Sequence, residues 1–155
     1  MRRREREITA PSEIEEILRG GKYAVLALCR NNEPYIVTLS YGYERATRSL
    51  YFHCAENGLK TDFVRENPCV CATVIQDQGY KQNECKQAYR SVVLRGRIVL
   101  VTKESEKRKA VNVLLDHLEE NPEAMRAKVQ RLPGKFTAMQ IWRLRIEEIT
   151  GKHGA

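Results

Sequence analysis

"LYFHCAENGLKTDFVRENP", residues 50–68, decides how this chain is read. Leu50 to Cys54 are apolar and aromatic around one histidine, too short a run for a buried helix and well suited to a strand. A polar turn with a single glycine follows. From Gly58 the spacing changes, so that Leu59, Phe63 and Val64 fall on one helical face until Asn67-Pro68 stops the helix. A strand that passes through a glycine turn into a helix points free backbone N–H groups past the helix start, where the helix dipole adds partial positive charge. Lys60, in the first turn, has the wrong sign for that dipole unless an anion offsets it. The turn is therefore expected to seat a phosphate on Gly58 and Lys60, against the plainer alternative of a surface lysine.

Upstream, "KYAVLALCR" (22–30), a polar "NNEP" turn (31–34) and "YIVTLSYGY" (35–43) predict a β-hairpin, and "SLYFHC" (49–54) continues the sheet after the charged loop "ERATR". Ahead of it, Ser12-x-x-Glu15 predicts a capping box, with Ile14, Ile17 and Leu18 as a narrow apolar stripe and Gly20-Gly21 ending a short helix. Residues 1–10 are expected to be a flexible basic arm. Downstream, "CVCATVIQD" (69–77) is a strand, a loop surrounds Gly79, and "YRSVVLRGRIVLVT" (89–102) is one long strand with Gly96 at a bend or bulge. Glu104 and Glu106 suit a helix start, and Val111, Leu114, Leu115 and Leu118 keep helical spacing up to Asn121-Pro122. After a polar stretch, "FTAMQIWRLRIEEIT" (136–150) is the final strand, closed by Gly151-Lys152.

The order is helix, three strands, helix, two strands, helix, strand. The early connections are too short for parallel crossovers, so the expected fold is mainly β with peripheral helices (α+β): an antiparallel barrel in preference to a doubly wound sheet. The 155 residues suffice for one domain, 1–155, with its own core.

Lys and Arg outnumber Asp and Glu by 27 to 20, a net charge of +7, which favours anionic ligands. Apart from "MRRRERE", that excess is interspersed with acids, and no helix-turn-helix, zinc-finger or aromatic RNA-binding signature accompanies it, so no nucleic-acid partner is expected. The start lacks the apolar run of a signal peptide, no stretch approaches a membrane span, and five cysteines, an odd number, read as reduced thiols in a cytoplasm.

His53 and Cys54 alternate on a strand, so one faces the core and the other the opposite side. His53 is either a hydrogen-bonded, half-buried residue or the wall of a ligand pocket, where an imidazole suits proton transfer. Cys69 and Cys71 share one strand face but lack the spacing and the second pair of a zinc site, and they read as small buried hydrophobes; no metal is expected. Dinucleotide, nucleoside-triphosphate and serine-hydrolase glycine motifs are all absent from the sequence.

Three blocks in order, "YIVTLSYGY", "LYFHCAENGLKTDFVRENPCVCATV" and "YRSVVLRGRIVLV", with a terminal "EEITGK", resemble the FMN-binding split-barrel superfamily that includes pyridoxamine 5′-phosphate oxidase, and within it the nitroimidazole-resistance type. The resemblance spans roughly residues 12–152. It implies that Gly58, Leu59 and Lys60 hold the FMN phosphate, although Leu59 stands where the oxidase has a phosphate-clamping arginine. It implies that Val37, Thr38, Leu39 and Ser40 run along the isoalloxazine ring, and that His53 and Cys54 lie beside it, with His53 the candidate proton donor. Arg90 stands at an arginine of the oxidase pattern, and Ser91 falls where the family sends a polar contact from the second subunit, which implies a homodimer with FMN at its interface. Trp142 is either a contact to the partner's flavin or core. The arginine–histidine segment with which the oxidase holds pyridoxamine phosphate has no match in "QIWRLRIEEITGKHGA", which argues against vitamin B6 oxidation. The implied activity is transfer of electrons from a reduced nicotinamide or other donor, through FMN, to a small organic acceptor such as a nitro-compound. Deazaflavin or haem in place of FMN, and a non-catalytic flavin carrier, are the rivals.

Overall fold

The computed structural model describes residues 3–131 and 139–154. A 3-10 turn at Arg4–Arg6 leads into β1 (Glu7–Ile8) and α1 (Pro11–Gly20), followed by β2 (Tyr23–Arg30), β3 (Glu33–Ser40), β4 (Gly42–Glu44) and β5 (Ser49–Cys54). Then come α2 (Leu59–Glu66), β6 (Cys69–Lys81), β7 (Lys86–Val101), α3 (Glu104–Leu118), α4 (Pro122–Gln130) and β8 (Gln140–His153). All eight strands pair antiparallel in one sheet, in the order β3-β2-β6-β7-β8-β5-β4, with β1 added against β8. β3 and β5 approach each other without pairing, so the barrel stays split. This is the antiparallel barrel with peripheral helices expected from the element order, split as the resemblance implies.

Local chemistry explains most of these elements. Asn31 and Asn32 take φ of 45° and 65°, a two-residue hairpin turn that asparagine tolerates and that matches strand twist. The turn is thus shorter than "NNEP". Pro34 already sits in β3 opposite Cys29, on an edge strand where its missing N–H costs no ladder bond. "YIVTLSYGY" is two strands broken at Tyr41. β6 and β7 extend through the expected loop: Gly79, at φ 88°, occupies a register shift between Asp77 and Tyr80 within the hairpin. The irregularity expected at Gly96 is present, because Arg95 faces Glu148 while Gly96 faces Ile146, leaving Glu147 as an extra residue in β8.

Three expectations are corrected. The capping box does not form: Pro11, with its preset φ, starts α1 one residue before Ser12, and Glu15 is instead paired to Arg19 (2.8 Å) and Arg45 (2.9 Å). Pro122, read as a stop, opens α4, where the Asn121 side chain accepts from the Ala124 N–H at 3.3 Å. Ordered pairing begins at Glu7, inside the stretch expected to be flexible, because Ile8 is buried opposite Gly151. The first residues of the expected final strand, 136–138, lie outside the described residues.

Two apolar layers hold the sheet. Leu26, Leu50, Phe52, Leu94, Trp142 and Leu144 fill the barrel interior, all fully buried. Outside, α3 lays Ala110, Val111 and Leu114 over Tyr51, Val101 and Ile141. No helix among the described residues is long and apolar enough to cross a membrane.

Candidate functional site

Gly58 is the N-cap of α2 at φ 135°, a conformation L side chains rarely adopt, and a Cβ placed there would meet nothing within 4 Å. Its carbonyl accepts from the N–H groups of Thr61 (2.8 Å) and Asp62 (3.2 Å). Leu59 and Lys60, at the first two helical positions, have no intrahelical acceptor for their N–H groups, and no side chain caps the helix. The turn is closed behind by the Thr61 hydroxyl donating to the Ala55 carbonyl at 3.4 Å. Lys60 extends its charge inward as well: burial pushes the Cys54 thiol up to about 12, against the opposing pull of the Lys60 ammonium.

The helix is tied to the hairpin. The rings of Phe63 and Tyr35 lie 5.0 Å apart, and the Arg30 guanidinium sits 4.3 Å over Phe63. This packs α2 on the β2–β3 hairpin, and the far edge of β3 pairs with no strand among the described residues. Val37 and Leu39 pack against the core, while Thr38 and Ser40 are exposed on the outer face. Register continues that face across the sheet: Thr38 faces Val25, Val25 faces Thr73, Thr73 faces Val93, and Val93 faces Thr150. Beside this row, Ser40 faces Tyr23, and Ile75 faces Ser91. Tyr23 is 58%, Ile36 67%, Ile75 54% and Val93 41% exposed, so the face is apolar and open.

The sequence profile of the pyridoxamine 5′-phosphate oxidase family matches residues 10–153. The chain belongs to this family. No curated protein sequence matches it. Among solved structures, a candidate 5-nitroimidazole antibiotic resistance protein from Bacteroides thetaiotaomicron is 22% identical with a TM-score of 0.77, covering 96% of this chain and 86% of that one. A FAD-binding protein from Mesorhizobium loti is 23% identical with a TM-score of 0.68, covering 97% of both chains. A FAD and heme binding protein from Mycobacterium smegmatis is 18% identical with a TM-score of 0.76, covering 96% of this chain and 73% of that one. At such identities these structures share the fold.

Within this oxidase-family frame, the residues singled out from sequence separate into groups. Gly58, Leu59, Lys60 and the strand Val37–Ser40 are brought to neighbouring elements. Cys54 faces the core, and His53 takes the exposed outer side of β5. Ser91 has the register of the outer face, opposite Ile75, but is itself buried at 8% exposure, three strands from β3, or about 14 Å at strand spacing. Arg90 points the other way: its guanidinium meets Gln76 Oε1 at 2.9 and 3.2 Å and Glu16 at 3.2 Å, beside α1. Trp142 is fully buried opposite Phe52, and its indole N–H has no acceptor among the described residues. Its ring is core and is not presented to a partner. The outer apolar residues Tyr23, Ile36, Ile75 and Val93 were not singled out, though their alternation with buried neighbours was legible in the strands.

Proposed function

We propose that this member of the pyridoxamine 5′-phosphate oxidase family binds FMN at the interface of a homodimer and serves as a flavin-dependent oxidoreductase. The observation that carries this reading is an uncapped helix start, Gly58–Lys60, on a helix that packs against the hairpin whose edge strand holds Val37–Ser40, at the border of an exposed apolar face. The residues fit the cofactor. Two free N–H groups, the dipole of α2 and the Lys60 ammonium suit a single phosphate ester, and the unpaired edge of β3 offers the alternating donors and acceptors that a flavin ring edge requires. Flavin-binding proteins of Mesorhizobium and Mycobacterium with this fold add support.

Two features support the dimer. Ser91 stands about 14 Å from β3 along the sheet of one chain, which favours an expected polar contact that reaches a flavin held by a second copy. The outer face around Ile75 and Val93 supplies an apolar surface for that copy to cover. The flavin supplies the electron-transfer chemistry when bound. The chain's own work is to orient the ring along β3, fix the phosphate at Gly58–Lys60, and hold His53 at the exposed side of β5 as proton donor. A reduced nicotinamide is the proposed donor and a small organic molecule the acceptor, with nitro-compounds favoured by likeness to the Bacteroides protein.

Absorbance of freshly purified protein, followed by FMN titration of the apoprotein, tests the binding. Flavin bands and one tight site per chain are expected, whereas a haem Soret band or no saturable binding would overturn it. NADH oxidation by the holoprotein then separates an oxidoreductase from a flavin carrier.

A further inference from the structure

The chain builds a second concave site that shares no residue with the flavin reading. A cavity of about 410 Å³ lies between α1, the turn joining β4 to β5, and β8. Ile14 and Leu18 from α1, Tyr43 from β4, and Ile146 and Ile149 from β8 line it with apolar surface. That volume lies in the lower part of the range of small-molecule sites.

The rim is charged, and its charges do not balance. Glu15 carries two guanidinium partners, Arg19 at 2.8 Å and Arg45 at 2.9 Å. Arg48, which also lines the cavity, has no carboxylate partner among the described residues. Its backbone is fixed on both sides: its N–H donates to the Arg45 carbonyl (3.1 Å), and its carbonyl accepts from the Ile146 N–H (3.0 Å). These bonds hold Arg48 at φ 48°, a left-handed conformation that disfavours any residue with a Cβ. The backbone that carries this exposed cation at the rim of an apolar pocket is thus held against local preference. The half-buried Tyr43 hydroxyl adds a donor with no acceptor among the described residues, and burial with Glu15 raises its pKa while Arg48, Arg19 and Arg45 lower it.

We infer that this cavity binds a small amphiphilic carboxylate, its aliphatic or aromatic body on Ile14, Leu18, Ile146 and Ile149 and its carboxylate on the Arg48 guanidinium. A planar guanidinium matches a carboxylate through two parallel hydrogen bonds. One unpaired cation over an apolar floor suits one negative charge; a doubly charged phosphate would lose more hydration than a single arginine returns.

Octanoate, titrated into the full-length protein and followed by calorimetry and by two-dimensional amide spectra, provides the test. One saturable site is expected, with shifts at Ile14, Leu18 and Ile149. Arg48→Gly suits φ 48° and should leave the thermal midpoint unchanged or raised, while weakening octanoate by about tenfold or more. Octanol, which keeps the chain and lacks the charge, should bind as weakly to the native protein. Should Arg48→Gly fail to fold, Arg48→Lys, which keeps the charge and loses the fork, should show an intermediate loss. The inference is overturned by absence of saturation, by unchanged affinity in a folded Arg48 variant, by equal binding of octanol, or by shifts centred on Gly58–Lys60. None of these outcomes depends on flavin binding.

Discussion

The hydroxyl of Tyr41 donates to the carbonyl of Leu18 across 2.6 Å, and both residues are buried. Leu18 stands in the last turn of α1, where carbonyls lose their helical donors, so a residue from the β3–β4 junction completes the end of a helix that closes the barrel. Tyr41→Phe keeps the ring and leaves that carbonyl unpaired. A loss of about 1–3 kcal/mol in unfolding free energy is expected from urea titration. A change below about 0.5 kcal/mol would mean that water replaces the phenol.

Lys60 is the charged member of the proposed phosphate seat. Lys60→Ala should weaken FMN by about 1–3 kcal/mol, read from quenching of flavin fluorescence on binding. Unaltered affinity would remove Lys60 from the phosphate.

The outer face is the proposed dimer contact. Ile75→Glu and Val93→Glu place a carboxylate at its centre without touching the barrel interior, and each should weaken self-association by about tenfold or more in sedimentation equilibrium. FMN affinity should fall in parallel. A dimer that persists in both variants would place the interface elsewhere.

His117 links acid stability to the same corner as Tyr41. Its Nε2–H donates to the Gly21 carbonyl at 2.6 Å, and its ring lies 4.8 Å from Tyr41. Burial, aided by the Lys22 charge and opposed by the Gly21 bond, lowers its pKa below the ordinary 6.5. Between the folded and unfolded values the unfolded chain binds more protons, so stability rises with pH there. The contribution is complete above about pH 6.5 and is lost as pH falls through that value toward the folded pKa. His117→Gln should flatten this part of the stability profile; an unchanged slope would assign it to other groups.

Gly96 marks the tightest backbone approach. A Cβ there would lie 1.9 Å from the Arg145 carbonyl oxygen, across the register shift between β7 and β8. Because backbone must move to admit it, Gly96→Ala should cost more than about 3 kcal/mol, seen as a large drop in thermal midpoint. A midpoint within a few degrees would show that the bulge relaxes freely.

Much of this molecule is legible along the chain because its cues are local. The alternation in "KYAVLALCR", the change of period at Gly58, and the helical spacing through Leu118 each depend on a few neighbouring residues, and each corresponds to an observed element. The phosphate-seat candidate is legible for the same reason: an uncapped helix start is a property of one turn. Pro122 was misread because the same fixed φ that ends one helix can open another, and the choice lay with Asn121.

The division between inside and outside belongs to the tertiary structure. Strand alternation separates two faces without saying which is covered, and here α3 buries Tyr51, Val101 and Ile141 on the outer side while leaving Ile75 and Val93 open. Trp142 went to the core because β5 and β7 flank it, and Arg90, on the face opposite Ser91, is tied down there by Gln76 and Glu16. Contacts between residues far apart in the chain carry these decisions, and no short window of residues contains them.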